Sequence, residues 1–313
     1  MTLTAQPAPA PRPMWPGQEE DAGRFRLHVR SSDAASGTEP ALFVHGLGGS
    51  STNWTDLMAL LGDRLVGLAT DLPGHGRSPA SPTRRYPLSG HVDAVEALLD
   101  ARSLGPVHLF GNSLGGAVST LLAARRPDLV RTLTLISPAF PQLDPRRATD
   151  FPLAAALIPG VNRLAARRMA AIPIEARTRG VLELCYADPS RVHPERLAEE
   201  VQEAIRRSAD PHAQEAFLAS ARGLVLAYAR PPRRSLWAAA ARVTAPVCVI
   251  WGAHDRLVPA SVAPRVRAAF RRAPIARLEV FQDAGHVSMM ERPERTADVV
   301  RSFLDDAHAI LAT

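Results

Sequence analysis

Lysine is absent from the 313-residue sequence, so all 37 basic residues are arginines. This absence excludes a phosphate-binding loop of the type that requires a lysine after its glycines. The formal net charge is +6, but the arginines are scattered, usually in pairs, and form no basic stripe interleaved with aromatic residues. A nucleic-acid partner is therefore not expected.

Cysteine is scarce and long apolar runs are missing. The two cysteines, Cys185 and Cys248, are far apart, and Cys248 lies inside a short apolar run that suits a buried thiol. A reducing compartment fits this usage. Residues 1–16 lack the apolar core of a signal peptide, and no apolar run reaches the ~18 residues of a membrane span. We therefore expect a cytoplasmic protein without stable membrane insertion, in an oligomeric state that the sequence leaves open.

Spacings typical of metal ligation are missing as well. No HxH or HExxH pattern occurs, and His75 stands between two glycines, as in a loop. We predict neither a metal site nor a cofactor. What is present is an ordinary globular composition, with 46% hydrophobic and 22% charged residues, in a chain long enough to bury a sizeable core.

Short runs rich in Val, Leu, Ile and Phe recur along the chain and alternate with helical patterns. Most runs are continuously apolar, which indicates strands covered on both faces. The alternation predicts an α/β fold with a mostly parallel central sheet and helices on both faces. The predicted strands are 24–29, 41–46, 65–71, 106–112, 132–137, 246–252 and 277–282, and the predicted helices are 52–63, 88–103, 113–127 and 295–311.

Two segments depart from this alternation. Residues 1–22 begin with a Pro/Ala-rich stretch and are predicted to be a disordered lead. Residues 139–240 contain helical pieces separated by prolines and no clear strand, which predicts an all-helical insertion. Its apolar side chains favour hydrophobic acyl or aryl ligands; they are Leu153, Leu157, Ile158, Leu164, Met169, Ile172, Phe217, Leu224, Leu226, Tyr228 and Trp237.

Ser113 lies between Gly111 and Gly115, after an apolar run and before a helical pattern. A sharp strand-to-helix turn at this serine would force it into a strained conformation, and bulky side chains two residues away would collide. The bend would raise the hydroxyl above the sheet. It would also leave the Leu114 N–H free at a helix N-terminus. We predict that Ser113 is a nucleophile.

A serine hydroxyl needs a base, and the base needs a carboxylate that fixes its tautomer. His286 follows the last predicted strand, next to a glycine, and is the predicted base. Asp255 follows the preceding strand, at the sheet edge where ligands bind. Asp283 competes with it, but it lies on the same loop as His286 and is badly placed to approach the ring. The predicted set is Ser113, Asp255 and His286.

Attack on a carbonyl produces an oxyanion, which two aimed N–H donors can stabilise. Leu114 supplies one predicted donor. The segment FVHGLGGSSTNW supplies the other, because its glycines let the backbone approach the substrate, and Leu47 is the candidate there. His45, at the end of that strand, is expected to hold the loop rather than to transfer protons.

Five local motifs occur in order: VHGLGGSSTNW, TDLPGHGRS, GNSLGG, WGAHDRLVP and AGHVSMMERP. With the order Ser, Asp, His, they resemble the α/β-hydrolase fold superfamily over residues 24–312. The resemblance implies a hydrolase core at 23–138 and 241–313, and a helical cap over the pocket at 139–240. It also implies that Asp71 is structural rather than catalytic.

Serine at the bend disfavours dehalogenation and epoxide hydrolysis, because similar enzymes with those activities carry aspartate there. The leading hypothesis is hydrolysis of a small hydrophobic carboxylic ester through an acyl-enzyme. Gly46 and Asn112 are expected to bind the substrate.

Other activities remain open. GNSLGG resembles the GNSMGG of meta-cleavage product hydrolases, which cleave a carbon–carbon bond, although Leu47 interrupts the longer glycine run usual in those enzymes. Perhydrolysis is similar in motif, but such proteins tend to lack a large cap. A non-hydrolytic receptor on the same fold and a membrane-contacting cap at 152–174 are further alternatives.

Overall fold

The computed structural model describes residues 12–141, 168 and 171–312. Eight strands form one sheet in the order β1-β2-β4-β3-β5-β6-β7-β8. Strand β1 pairs antiparallel with β2, and β2 with β4; every other neighbouring pair is parallel. The predicted mostly parallel sheet is thus confirmed. The strands are β1 Gly17–Ala22, β2 Phe25–Ser31, β3 Glu39–Val44, β4 Leu65–Thr70, β5 Val107–Asn112, β6 Val130–Ile136, β7 Val247–Gly252 and β8 Ala276–Phe281.

Helices cover both faces of the sheet, as the sequence predicted. One buried cluster joins the sheet to α2, α3, α6, α7 and α8, and the other joins it to α1, α4, α9 and α10. The second contains Phe43 and Phe110, whose rings stack at 4.3 Å. The helices are α1 Thr55–Leu60, α2 Leu88–Arg102, α3 Leu114–Arg125, α4 Ile174–Cys185, α5 Pro194–Ser208, α6 Ala213–Tyr228, α7 Leu236–Ala240, α8 Ala263–Ala269, α9 Ser288–Glu291 and α10 Pro293–Leu311.

The prediction of a disordered lead over residues 1–22 is wrong for its last part. Residues 17–22 form β1, a polar edge strand that pairs with β2 through a two-residue loop beginning at Gly23 (φ 59). Both terminal atoms of the Glu20 carboxylate accept from Arg102 on α2, which fixes the strand against the neighbouring helix. An edge strand that faces solvent needs no apolar residues, so hydrophobic patterning could not reveal it.

The region between β6 and β7 contains α4, α5, α6 and α7, and its described residues contain no strand. Its attachment to the core is polar as well as apolar: Arg196 on α5 donates two hydrogen bonds to the Asp56 carboxylate, at 2.6 and 3.1 Å. Of the apolar residues singled out in the sequence, Leu153, Leu157, Ile158, Leu164 and Met169 lie outside the described residues. The domain limits 139 and 240 stay a prediction.

Helix α7, at the end of the predicted insertion, packs on the core. Leu236 belongs to the same buried cluster as α3. The Trp237 ring lies 4.9 Å from the Phe140 ring, and the Arg265 guanidinium stacks on it at 4.4 Å. Trp237 therefore packs between Phe140 and Arg265. Within the described ranges, no helix is both long and apolar enough to cross a membrane.

Candidate active site

Ser113 occupies a sharp bend between β5 and α3, with φ 52 and ψ −116. This conformation is costly for a residue with a side chain, and such strain is common at functional sites. The flanking glycines are required by close approach. A Cβ added to Gly111 would lie 2.5 Å from the Gly115 carbonyl oxygen, and one added to Gly115 would lie 2.2 Å from the Val44 carbonyl oxygen. The predicted collision two residues from the serine is thus what the backbone imposes.

Asp255 and His286 form a buried pair at the carboxyl ends of β7 and β8. Asp255 Oδ2 lies 2.8 Å from His286 Nδ1, and both residues are at most 5% exposed. The other carboxylate oxygen, Oδ1, accepts from the N–H groups of Leu257 and Val258 at 2.9 and 2.8 Å. The carboxylate is therefore fixed by its own loop. When Nδ1–H donates to it, Nε2 of the imidazole is left as an acceptor.

The alternative carboxylate, Asp283, faces away from this pair. It forms ion pairs with Arg292 at 2.5 Å and Arg295 at 3.0 Å, and its side chain is 43% exposed. The structure thus brings His286 together with Asp255, as the sequence predicted, and not with Asp283.

Asn112 ties the strand that carries Ser113 to the loop that carries His286. Its side-chain amide donates to the Ile136 carbonyl at 3.0 Å and to the His286 carbonyl at 3.1 Å. Both amide hydrogens are thus used within the protein, so they are not available to a substrate. Through these two hydrogen bonds Asn112 links the two loops; that it also binds substrate stays a prediction. In the part of the chain that the structure describes, Ser113 Oγ makes no hydrogen bond to His286 Nε2.

The loop after β3 passes directly over the serine. A Cβ added to Gly46 would lie 3.1 Å from Ser113 Cβ and 2.9 Å from Asn112 Oδ1. His45 holds this loop: its Nδ1 donates to the Gly46 carbonyl at 2.7 Å, and its Nε2 accepts from the Leu72 N–H at 3.0 Å. Because burial lowers the pKa of His45, the ring is neutral and both nitrogens are occupied. The expected structural role of His45 fits these contacts.

The two predicted oxyanion donors are the residues that directly follow Gly46 and Ser113 in the chain. Leu114 is the first residue of α3, so its N–H has no partner within the helix. Leu47 directly follows Gly46, the residue that reaches Ser113. Among the described residues, neither N–H donates a hydrogen bond to another group of the protein. Both are therefore free to donate to a ligand oxygen.

Asp71 is a buried structural carboxylate. It accepts from Ser51 N–H at 2.5 Å, from Arg77 N–H at 2.8 Å and from the His28 ring, whose Nδ1 lies 3.0 Å away. Burial alone would raise the pKa of Asp71, but the hydrogen bonds, led by that from His28, lower it to about 2. These contacts fit the structural role that the resemblance implied.

Sequence reasoning missed the role of Glu291, although the motif AGHVSMMERP contains it. Its buried carboxylate accepts from Gly285 N–H at 2.7 Å, and from the N–H groups of Ala187 and Asp188 at 3.0 and 2.9 Å. Arg191 completes its shell at 3.2 Å. Gly285 directly precedes His286, so Glu291 joins the histidine loop to the segment that follows α4. The sequence motif gives no sign of which backbone groups its glutamate will reach.

A second link ties the insertion to the histidine. The His286 N–H donates to the Cys185 carbonyl, the last of α4, at 2.7 Å. The backbone of the predicted base is therefore held by a residue from the inserted region. The contact uses the backbone carbonyl of Cys185 and not its thiol. Burial raises the pKa of that thiol to about 12, so the thiol is protonated at pH 7.

Two further histidines are buried where α6 covers the core. His91 Nε2 lies 3.0 Å from Ser220 Oγ on α6, and the His75 and His91 rings are 5.7 Å apart. Burial lowers the pKa of His91 to about 3, and it lowers that of His75 well below its usual value. Both rings are therefore neutral at pH 7.

Comparison with known proteins shows similarity to hydrolases. The chain is 31% identical over 287 residues to 2-(acetamidomethylene)succinate hydrolase of Mesorhizobium japonicum, covering 91% of this chain and 94% of that protein. It is 27% identical over 277 residues to monoacylglycerol lipase abhd6-B of Xenopus laevis, covering 86% and 76%. The meta-cleavage product hydrolase from Pseudomonas fluorescens IP01 shares the fold with a TM-score of 0.71 at 21% identity, over 93% and 98% of the chains.

The sequence also matches a family model, described as the alpha/beta hydrolase fold, over residues 40–293. That range begins in β3 and extends past Ser113, Asp255 and His286. The strand order, the bend at Ser113 and the match agree over the greater part of the chain. The chain therefore belongs to the α/β-hydrolase fold family.

Proposed function

We propose that the protein is a serine hydrolase that cleaves carboxylic esters of hydrophobic substrates through an acyl-enzyme. The observation that carries the proposal is the buried Asp255–His286 pair, whose Oδ2 and Nδ1 atoms are 2.8 Å apart. The pair lies at the carboxyl ends of the strands, as does Ser113 on its strained bend. Asn112 supports it, because this neighbour of Ser113 is hydrogen-bonded to the backbone of His286. The similarity to a monoacylglycerol lipase favours esters.

In the first step, Ser113 Oγ attacks the ester carbonyl carbon while His286 Nε2 takes the hydroxyl proton. A new Oγ–C bond forms, and the carbonyl π electrons move to its oxygen. Asp255 stabilises the imidazolium that results. The Leu47 and Leu114 N–H groups donate to the oxyanion, and each such donor contributes about 3 kcal/mol of transition-state stabilisation.

In the second step, the oxyanion re-forms the carbonyl and the ester C–O bond breaks. The leaving alkoxide takes the proton from His286, which gives the alcohol and an acyl group on Ser113. Water then hydrolyses the acyl-enzyme. His286 removes a proton from the water, and the hydroxyl adds to the acyl carbon. The bond between that carbon and Ser113 Oγ breaks, and His286 returns the proton to Oγ. The products are one acid and one alcohol, with the enzyme restored and no cofactor used. We expect this reaction to take place in the cytoplasm, without a nucleic-acid partner.

The test is a panel of p-nitrophenyl esters of increasing acyl length, assayed with Ser113→Ala and with Ser89→Ala as the matched control on α2. We expect Ser113→Ala to lose turnover and labelling by a fluorophosphonate probe, and Ser89→Ala to retain both. Labelling of the wild type also separates a hydrolase from a non-hydrolytic receptor on the same fold. Undiminished turnover by Ser113→Ala would contradict the proposal.

Carbon–carbon bond hydrolysis is the second candidate. It is favoured by the GNSLGG motif and by the fold shared with a meta-cleavage product hydrolase. The same residues would serve it, but Asn112, the residue that suggested the motif match, has its amide engaged with the Ile136 and His286 carbonyls. Bleaching of a yellow dienoate substrate faster than ester turnover would favour this candidate over the first.

A further inference from the structure

Three potential metal ligands converge at the end of the sheet opposite Ser113. Glu39 is the first residue of β3, His108 is the second residue of β5, and His308 lies in the last turn of α10. Glu39 Oε2 is 3.0 Å from His108 Nε2 and 2.7 Å from His308 Nε2. All three donor atoms lie within 4.8 Å of one another. We propose that this cluster binds a divalent transition metal ion, Zn²⁺ in the first instance.

The donor set determines the class of ion. Two imidazole nitrogens and one carboxylate oxygen suit Zn²⁺ and its neighbours in the first transition row, rather than Mg²⁺ or Ca²⁺, which prefer oxygen ligands alone. In a tetrahedral zinc site, neighbouring donor atoms are about 3.3 Å apart. Glu39 Oε2 reaches that separation from each histidine nitrogen by moving outward by a few tenths of an ångström. Water would take the fourth position.

One of the two histidine nitrogens at the cluster has no hydrogen bond within the described residues, and the other is bonded to Glu39, a ligand of the proposed site. His308 Nε2 is buried and makes no hydrogen bond in the described part of the chain, although Glu39 Oε2 is 2.7 Å away. The two atoms are thus close without sharing a proton along a favourable direction. His108 Nδ1 lies 2.9 Å from Thr132 Oγ1. Without an ion, His108 Nε2 is hydrogen-bonded to Glu39 Oε2 at 3.0 Å. A bound ion would displace the proton of that bond, and Nδ1–H would then donate to Thr132 Oγ1, which is how an outer partner orients a metal-binding histidine.

Two of the three ligand residues are partly exposed, and a neighbouring positive charge would oppose a bound cation. The side chains of Glu39 and His308 are 29% and 40% exposed, whereas His108 is fully buried. Arg131 lies 3.2 Å from Glu39 Oε1, so Glu39 would bind through Oε2 alone. Because Arg131 adds a positive charge beside the ion, its removal should strengthen binding.

The expected role is structural. The ligands come from two strands and the C-terminal helix, so the ion would join α10 to the sheet. It would lie at the amino ends of β3 and β5, whereas Ser113 follows the carboxyl end of β5. We therefore expect Zn²⁺ to raise the thermal unfolding temperature without taking part in catalysis. Spacing in the sequence could not reveal these ligands, because they lie at positions 39, 108 and 308.

The experiment uses the full chain without a polyhistidine tag, freed of metal with a chelator and titrated with ZnCl₂ by calorimetry. We expect one tight site in the wild type and a Kd at least about tenfold higher in His308→Ala, since loss of an outer-shell partner alone costs that much. His212→Ala, which changes an exposed histidine hydrogen-bonded to Arg84, is the matched control and should bind as the wild type does.

Two further measurements sharpen the result. A saturating concentration of Zn²⁺ should raise the Tm of the wild type by about 2–5 °C, and that of His308→Ala by less. Arg131→Gln should bind Zn²⁺ about threefold or more tightly, because a like charge is gone. No tight site in the wild type, equal Kd values in wild type and His308→Ala, or unchanged binding in Arg131→Gln would each overturn the proposal.

Discussion

The buried histidine His91 makes a quantitative prediction about acid stability. It is 1% exposed, lies 3.0 Å from Ser220 Oγ, and has its pKa lowered by burial to about 3. In the unfolded chain, a histidine has a pKa of about 6.5. Between these two pH values the unfolded state binds a proton that the folded state does not. The free energy of unfolding is therefore highest above pH 6.5 and decreases as the pH falls towards 3. At pH 4 the loss due to this one group is about 3 kcal/mol, at 1.36 kcal/mol per pKa unit.

The assay is urea unfolding at pH 7 and pH 4, compared between wild type and His91→Gln. Glutamine can still reach Ser220 but has no titratable group, so the variant should lose about 3 kcal/mol less than the wild type. Ser220→Ala is the control: it removes the hydrogen-bond partner and keeps the titration, so its acid loss should match that of the wild type. His108, whose pKa burial lowers to about 4, contributes equally to all three proteins. If His91→Gln loses as much free energy as the wild type, the reasoning is refuted.

Three other changes test the candidate site. Asp255→Asn should keep the fold and lower kcat by roughly a thousandfold or more, with little effect on KM, because the imidazole loses its orienting carboxylate; a fall below tenfold would count against the proposed role. Glu291→Gln should lower kcat about tenfold and also lower Tm, because Arg191 and the Gly285 N–H lose a charged partner; unchanged kinetics would show that the histidine loop does not depend on it. Gly111→Ala should destabilise the protein by at least about 2 kcal/mol in urea unfolding, whereas Gly105→Ala, with nothing within 4 Å of the added Cβ, should not.

The sequence was most informative where local chemistry decides the structure. Mostly apolar runs predicted the strands from β2 to β8, and the continuous ones, such as β5 and β7, are buried on both faces. The glycines around Ser113 predicted the bend because the backbone there has no room for a Cβ. Asp255 was preferred to Asp283 because a residue on the same loop as His286 is badly placed to reach its ring, and the structure agrees.

The sequence was least informative where a side chain acts on distant backbone. The amide of Asn112 reaches carbonyls 24 and 174 positions along the chain, and nothing in its motif indicated those contacts. Glu291 reaches backbone N–H groups more than 100 positions away. β1 escaped notice because its pairing with β2 depends on backbone hydrogen bonds rather than on apolar residues. Such contacts depend on three-dimensional proximity and leave no periodic signal.

The Glu291 network has a consequence for protein engineering. Exchanging the inserted region for that of a relative is an obvious way to change substrate preference. In this protein the exchange would also remove Arg191 and the N–H groups of Ala187 and Asp188, leaving a buried carboxylate without most of its partners. A working chimera should therefore keep 185–191 as part of the recipient scaffold and place its junctions outside that segment.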